Sequence, residues 1–541
     1  MKKLFTLILA IVILLTTLLA GCNASTPPST GSESPQTAAS AAESTSGEPK
    51  ISPELRVALI GEPASLDMYA TSNSTVQQVT YHMLEGLYTI NNQYETVPML
   101  ADTTTINEDG TRYTITLRQG VIFHNGKEMT SEDVLASVNY WMEKTPFGAT
   151  VAKTVDRVEA TDTYVVDIYM TVPNVLLLTF LSVPYQMGGI MPKESIEFAI
   201  ANDGVDTAHL IGTGPYKFKE YKPDQFVKLE RYADYCSREE EPDGHFGRKT
   251  AYFETLTFIP VSEDSVRKDG VTTGDYHFAE QISTDMYELI VADPNSEPVT
   301  VKPWWWPMVV FNKKEGIFAD VNARQAVLAC LDMDEAMKAA FGNPEFYRVD
   351  PSCAYVEQTG MYSTAGGELY NQKNPEKAKE LLEKTSYNGE KLIWLTTREY
   401  PYMYKLAVVA QQQMEAAGFN VELQVVDYAT IVSTRNDPSA YDMFSGACVF
   451  QADPALMSHL ESGWAGWWVN DEKDEALKAL NQESDPVKRQ QMWGDFQEKY
   501  VYGEAPFIKF GDYFLLSSRS TKLKGYVPAP FSSYWNCYLE E

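Results

Sequence analysis

Residues 212–236 read GTGPYKFKEYKPDQFVKLERYADYC. Gly212, Thr213 and Gly214 look at first like half of a dinucleotide fingerprint. That fingerprint needs a helix after its glycines, whose N-terminus meets a pyrophosphate. Here Pro215 and the run KFKEY stand where the helix would have to start. The segment therefore reads as a turn, with glycines taking φ values closed to other residues and Pro215 stiffening it. The run EYKPDQFVKLERY at 220–232 reads as a β-hairpin. The stretch builds sheet and holds no nucleotide.

Working outward, helices and strands mix along the whole chain. ADTTTINEDGTRYTITLRQGVIF (101–123) reads as a second hairpin, turning at Asp109-Gly110. SEDVLASVNYWMEK (131–144) starts on Ser131 as an N-cap and places Val134, Leu135, Val138 and Trp141 on one helical stripe. NPEKAKELLEKT (374–385) has Asn374 as cap and Pro375 at the first helical position. In YKLAVVAQQQMEAAGFNVELQVVDY (404–428) a helix closed by Gly418 leads into a strand, a unit of an α/β sheet. About 490 residues after the N-terminal region exceed one ordinary core, so an α/β, multidomain fold is expected.

The N-terminus reads MKKLFTLILAIVILLTTLLAGC: two lysines, an apolar run, then Leu19-Ala20-Gly21-Cys22. The pattern reads as a secretory signal over residues 1–21. The run is marginal for a bilayer span of about 20 residues. Leu-Ala-Gly-Cys resembles the lipobox of bacterial lipoproteins, which implies lipid on Cys22. Residues 22–50 hold Ser, Thr, Ala, Pro, Gly and Glu with almost no large apolar side chain, and are expected to be a disordered tether. The formal charge is −30. Such a body is repelled by phosphate backbones, so nucleic acid is excluded as a partner. The five cysteines after Cys22 are odd in number and widely spaced, with no CxxC; that is neither a zinc site nor a disulfide framework.

The chain has six histidines, none paired at metal-binding helical spacing. HExxH, GxSxG and Walker motifs are missing, and no spacing singles out a carboxylate pair. The expectation is a protein with no catalytic residue, no metal and no cofactor.

Seven stretches then fall in one order: LEGLY with VPMLAD, LRQGVIFHNGKEMTSEDVLASVNYW, the GTGPY hairpin, FNKKEGIFADVNARQAVLACLD, NPEKAKELL, YDMFSGACVFQADP, and VNDEKDEALKAL through APFIKFGDY. Together they resemble family 5 of the bacterial extracellular solute-binding proteins, the peptide, nickel and oligosaccharide receptors of ABC importers. The resemblance implies a type II periplasmic-binding-protein fold of the large cluster, with an extra domain and two lobes closing on a hinge. It implies domain I from residues 51–87, 206–300 and 505–541, domain II from 88–205 and domain III from 301–504. It also implies a monomer on the outer face of the membrane, held by its lipid, with a small ligand, an ABC permease and its ATPase as partners. Most motif residues mark the fold: His124 belongs to a hairpin end, and Arg324 and Asp332 to helix placement.

The resemblance places KPWWWPMVVFN (302–312) at the hinge strand. In an extended segment Trp304 and Trp306 point one way and Trp305 the other, so one face packs in a core and one looks into the cleft. All three rings are candidate ligand contacts. In peptide-binding members an aspartate three positions before the Asp-Pro pair anchors the peptide ammonium; here that position is Phe450, while Asp453 matches a structural turn that caps the next helix. Arg398 and Tyr400, in TTREYPYMY, fall near the loop that forks a peptide carboxylate in dipeptide receptors. Tyr428 occupies an aromatic lining position, Trp464 and Trp467 come after the Asp-Pro turn, and all three join Arg398, Tyr400, Phe450 and Asp453 as candidate ligand contacts. The expected function is peptide capture, with oligosaccharide or modified peptide as the second ligand reading and nickel or a metal chelate as the third; a secreted hydrolase is the alternative of a different class.

Overall fold

Residues 212–236 form the expected hairpin: strands Tyr216–Lys222 and Phe226–Arg231 pair antiparallel. The reason for the glycines differs from the expected one, because neither takes a left-handed φ. A Cβ built on Gly212 would lie 2.0 Å from the Met83 carbonyl oxygen, and one on Gly214 would lie 2.6 Å from that of His82. The glycines let two backbones touch, and the Gly214 N–H donates to Met83 O at 2.9 Å. His124 clamps the turn from outside. Its Nδ1 accepts from the Gly212 N–H at 3.3 Å and its Nε2–H donates to Gly214 O at 3.0 Å. Burial holds this imidazole neutral, with a pKa of about 4.

The computed structural model describes residues 49–63, 65–71 and 73–540. The signal segment, Cys22 and most of the tether lie outside the described residues. Among those described, no helix is long and apolar enough to cross a membrane.

One sheet runs through the described body. Its order is Asn420–Val425, Lys391–Thr396, Met443–Val449, Ser296–Phe311, Asp512–Ser520, Phe278–Ile282, Ser52–Leu59, Phe253–Pro260, Phe226–Arg231, Tyr216–Lys222. Each end has a parallel nucleus: Lys391–Thr396 between two parallel neighbours, and Ser52–Leu59 between two others. The two ends meet in the middle through the long strand Ser296–Phe311 and its antiparallel partner Asp512–Ser520. Each end also carries its own core. One gathers Leu55, Phe258, Trp141 and Tyr534. The other lies on both faces of the second half-sheet, and the alternation of the long strand divides it: Val309 and Phe311 point to one face, Trp306, Met308 and Val310 to the other.

Residues 101–117 form the second hairpin, with Gly110 left-handed at its turn, inside a separate four-stranded antiparallel sheet. Helix Ser131–Lys144 has its cap one residue earlier than expected. Thr130 is the N-cap and closes a capping box with Asp133, while the Ser131 hydroxyl donates to Asp162 O at 2.6 Å. Asn374 caps helix Pro375–Leu382, and Gly418 ends helix Pro401–Ala416 with φ +100° before strand Asn420–Val425.

Candidate functional site

The middle of the sheet is irregular where it matters. Along Ser296–Phe311, Val301 faces Leu515 and Trp305 faces Tyr513, so four steps on one strand oppose two on the other. On the other flank of the same partner strand, Ala279 faces Ser518 and Ile282 faces Leu516, three steps against two. Such bulges re-aim side chains that a regular pleat would send to opposite faces. Gln281 sits inside the second bulge with φ +49°, a left-handed conformation uncommon outside glycine.

Both bulges open onto one cavity of about 600 Å³, within the usual range for small-molecule sites. Its walls come from both ends of the sheet. Ser74, Gln77, Gln78, Tyr81, Glu280 and Gln281 stand on one side, Tyr400, Val449, Phe450 and Gln451 on the other, and Trp304, Trp305, Leu515 and Ser517 on the crossing strands. Tyr185 and Gln186, from the segment that carries the small sheet, complete it along with Phe531 and Ser532. Contacts across the cleft close it. The Tyr185 hydroxyl donates to Gln451 Oε1 at 2.6 Å, the Tyr94 hydroxyl donates to Lys302 O at 3.2 Å, and the Tyr94 ring packs on Phe450 at 4.8 Å between centroids.

The wall is aromatic and amide-rich. Five glutamines line it, and Glu280 is the one formally charged side chain among the described lining residues. Glu280 is 4% exposed, and its Oε1 accepts from the Tyr534 hydroxyl at 2.7 Å. Burial pushes its carboxyl up to about 7, against the hydrogen bond from Tyr534 and the charge of Arg267. Tyr534 is itself fixed: its N–H donates to His82 Nε2 at 2.9 Å, its ring stacks on His82, and His82 Nδ1–H reaches Gln78 O.

Of the residues expected at the site, Trp304, Trp305, Tyr400 and Phe450 line this cavity. The alternation expected of the three tryptophans does not hold. Trp304 and Trp305 stack on each other at 5.4 Å and 8°, because the two extra residues of the bulge break the pleat there. Trp306 lies beyond the bulge on the regular part of the strand, 0% exposed against His459 and Phe507, and is core. Arg398 stays outside the lining, exposed, with its guanidinium over the Tyr404 ring and one N–H on the Tyr404 hydroxyl at 2.9 Å. Tyr428 lies behind Tyr400, edge to face at 5.0 Å. Asp453 forks with Arg489 at 2.5 and 3.1 Å and caps the turn at Pro454 by accepting from the Ala455 N–H, the structural part expected of it. Trp464 packs on Phe444 and His459, and Trp467 stacks on Tyr441. Neither lines the cavity. The five cysteines of the described body are free thiols.

Sequence reasoning missed Glu280, Gln281, Tyr185, Gln186, Gln451 and the glutamine pair Gln77 and Gln78. One signal was available for Glu280. In the run HFAEQI a charged residue interrupts a strand pattern whose neighbours are apolar, and a polar residue at a core position points to function.

Comparison with known proteins places these features in context. The sequence model described as bacterial extracellular solute-binding proteins, family 5 Middle, matches residues 95–465. The chain is 27% identical over 500 residues to a probable peptide ABC transporter periplasmic-binding protein, y4tO, of Sinorhizobium fredii, covering 87% of this chain and 90% of that one. Among solved structures it is similar to the ABC transporter-associated periplasmic binding protein DppA from Helicobacter pylori in complex with peptide STSA. That match has a TM-score of 0.72 at 20% identity, over 91% of this chain and 99% of that one. It is equally similar in fold to the binding protein AgaA of A. tumefaciens in complex with agropinic acid, at a TM-score of 0.71 and 19% identity, over 90% of this chain and 99% of that one.

Proposed function

We propose a receptor's task for this chain, because it belongs to the bacterial extracellular solute-binding proteins of family 5: it captures peptides between two lobes and hands them to the permease of an ABC importer. The observation that carries this reading is the cavity itself. It lies between two separately cored halves of one sheet, and two strands cross from one half to the other. Two halves so joined can open and shut about the crossing strands. Enclosure then strengthens a few polar contacts by excluding water. The lobes in this reading are residues 51–87, 206–300 and 505–541 with the 88–205 insertion on one side, and 301–504 on the other, with the hinge at Val301. Peptide is the ligand class named for the relatives y4tO and DppA. The ligand leaves chemically unchanged, and the receptor is a monomer.

A second reading, a blocked or modified peptide or an oligosaccharide, is favoured by two features of the wall. Phe450 stands where an anchoring acid would be, and among the described lining residues there is no Lys or Arg for a ligand carboxylate. Mass spectrometry of compounds released from denatured, freshly purified protein separates the two. Peptides at one per receptor support the first reading and sugars the second; a compound altered on contact with the protein sinks both. We also propose that Cys22 carries a lipid. Cys22→Ala then releases the protein from the membrane fraction, and equal membrane retention of the variant rejects the anchor.

A further inference from the structure

Glu280 lies in the cavity wall without a cation to match it. Regular pleating would turn Glu280 and Gln281 to opposite faces, yet both line the cavity, because the bulge between Ala279 and Ile282 and the left-handed Gln281 re-aim them. The neighbouring Arg267 does not answer the carboxyl. Its donors reach the backbone carbonyls of Val261, Ser262, Glu280 and Gln281, at 2.6 to 2.8 Å. What the carboxyl does have is orientation: the Tyr534 hydroxyl holds Oε1, and His82 holds Tyr534. A buried carboxylate without an ion partner is costly, and its raised pKa reflects that cost. Adding a cation of the right geometry turns the same burial into a strong charge-assisted contact. The aromatic rings that line the same cavity, Trp304, Trp305, Tyr81 and Tyr185, suit an organic cation as well.

We propose that Glu280 is the anchor for an ammonium group of the captured ligand, the acid that the chain lacks at Phe450. This rests on the receptor reading and narrows its ligand to compounds with a cationic group and no obligatory carboxylate clamp. The Glu280–Gln281 bulge, the Tyr534 brace and the absence of lining cations among the described residues all point the same way.

The test uses the full chain purified after unfolding and refolding to strip it of ligand, and its Glu280→Gln variant, whose amide oxygen still accepts from Tyr534. Each is incubated with a random tetrapeptide mixture lacking Lys, Arg and His. Each is also incubated with the same mixture in which hydrogen replaces the α-ammonium, and with a set of organic amines (phenethylamine, putrescine, choline) beside neutral isosteres. Retained species are counted by mass spectrometry. Wild type is expected to retain the ammonium forms at least tenfold over the deaminated or neutral ones, and Glu280→Gln to lose that preference. Glu280→Asp, which keeps the charge, should regain part of it. Equal retention of both forms by wild type, or a preference that survives in Glu280→Gln, overturns the anchor while the peptide reading stands. Retention of amines alone, lost in Glu280→Gln, keeps the anchor and removes the peptide reading. A protein that retains neither class overturns both.

Discussion

A carboxyl enclosed in a wall of amides and rings sets a pH signature that needs no ligand to be seen. Glu280 has a folded pKa of about 7 against an ordinary 4.5. The folded state therefore holds a proton that the unfolded chain releases. Its stabilising contribution is complete below about pH 4.5 and is lost as pH rises through about 7. At about 1.4 kcal/mol per pKa unit the whole loss is about 3.5 kcal/mol, most of it between pH 5 and 8. The charged and titratable groups facing it are Arg267, Tyr534 and Tyr526; burial pushes both tyrosine hydroxyls up, away from this window. The buried His82, His245 and His459 and the half-buried His124 and His277 work in the opposite direction, with pKa values lowered to about 4, 3, 3, 4 and 4, so their contribution is lost as pH falls below about 6.5. They are common to wild type and Glu280→Gln, so the difference between the two isolates Glu280. Urea unfolding at pH 5 and pH 8 should show the variant gaining about 3 kcal/mol on wild type over that interval. A flat difference would mean an ordinary carboxylate. The tryptophans separate at the same scale. Trp306→Ala empties a fully buried site and should cost about 3–5 kcal/mol of ligand-free stability. Trp304→Ala removes a half-buried cavity ring, so its ligand-free melting should stay near wild type while binding weakens. Equal melting losses would put Trp304 in the core too.

At the scale of elements, the motif stretches of the sequence turn out to be joints. The Glu85 of LEGLY pairs with Lys249 at 2.9 Å, both buried, and also accepts from Thr213 of the GTGPY turn and Tyr235 at its far end. Glu85→Ala leaves the Lys249 ammonium buried and unpaired, which should destabilise by about 3–5 kcal/mol in urea unfolding. Replacing both partners together, as Glu85→Leu with Lys249→Met, should restore much of that loss. If the single variant unfolds like wild type, the joint contributes little. Such joints explain which parts were legible. Hairpins and helices announced themselves by local chemistry: Asp109-Gly110 at a turn, Asn374-Pro375 at a helix start, Gly418 at a helix end. The glycines of GTGPY were legible as a turn but not for their cause, since the carbonyls that crowd them, on His82 and Met83, lie about 130 residues earlier in the chain. Trp304 and Trp305 defied the alternation rule because Pro303, between Val301 and Trp305, has no N–H for the ladder and the strand bulges there against Tyr513 to Leu515, a signal that alternation alone ignores. Arg398 was placed by loop analogy, and an exposed loop can turn its guanidinium onto its own Tyr404. Glu280 is marked in the sequence only as a charged residue in a strand pattern; that it and Gln281 both face the cavity follows from the register against Asp512–Ser520.

For the whole molecule, the wall of the cavity is split between halves that share two crossing strands, and the proposed receptor reading couples binding to shape through them. A ligand can shift an open–closed equilibrium only by its differential affinity for the two forms, and in the proposed two-lobe reading the lining groups, drawn from both halves, would converge on closure. Saturation at one hundred times Kd should raise stability by about 2.7 kcal/mol. The latch gives the sharper test, because Tyr94 bridges the cleft without lining the cavity: its hydroxyl reaches Lys302 O and its ring covers Phe450. Tyr94→Phe removes one cross-cleft hydrogen bond, a net contribution of about 0.5–1.5 kcal/mol, and keeps the ring. If that bond exists only in the closed form, the whole loss falls on closure. Affinity should then drop by up to about tenfold for every ligand alike, selectivity among ligands should not change, and ligand-free melting should equal that of wild type. Small-angle scattering should show the variant reaching the same contracted form as wild type once ligand is saturating. A variant that changes ligand preference would instead place Tyr94 in the binding wall. One that lowers ligand-free melting by as much as it lowers affinity would mean that the halves are already shut before any ligand arrives.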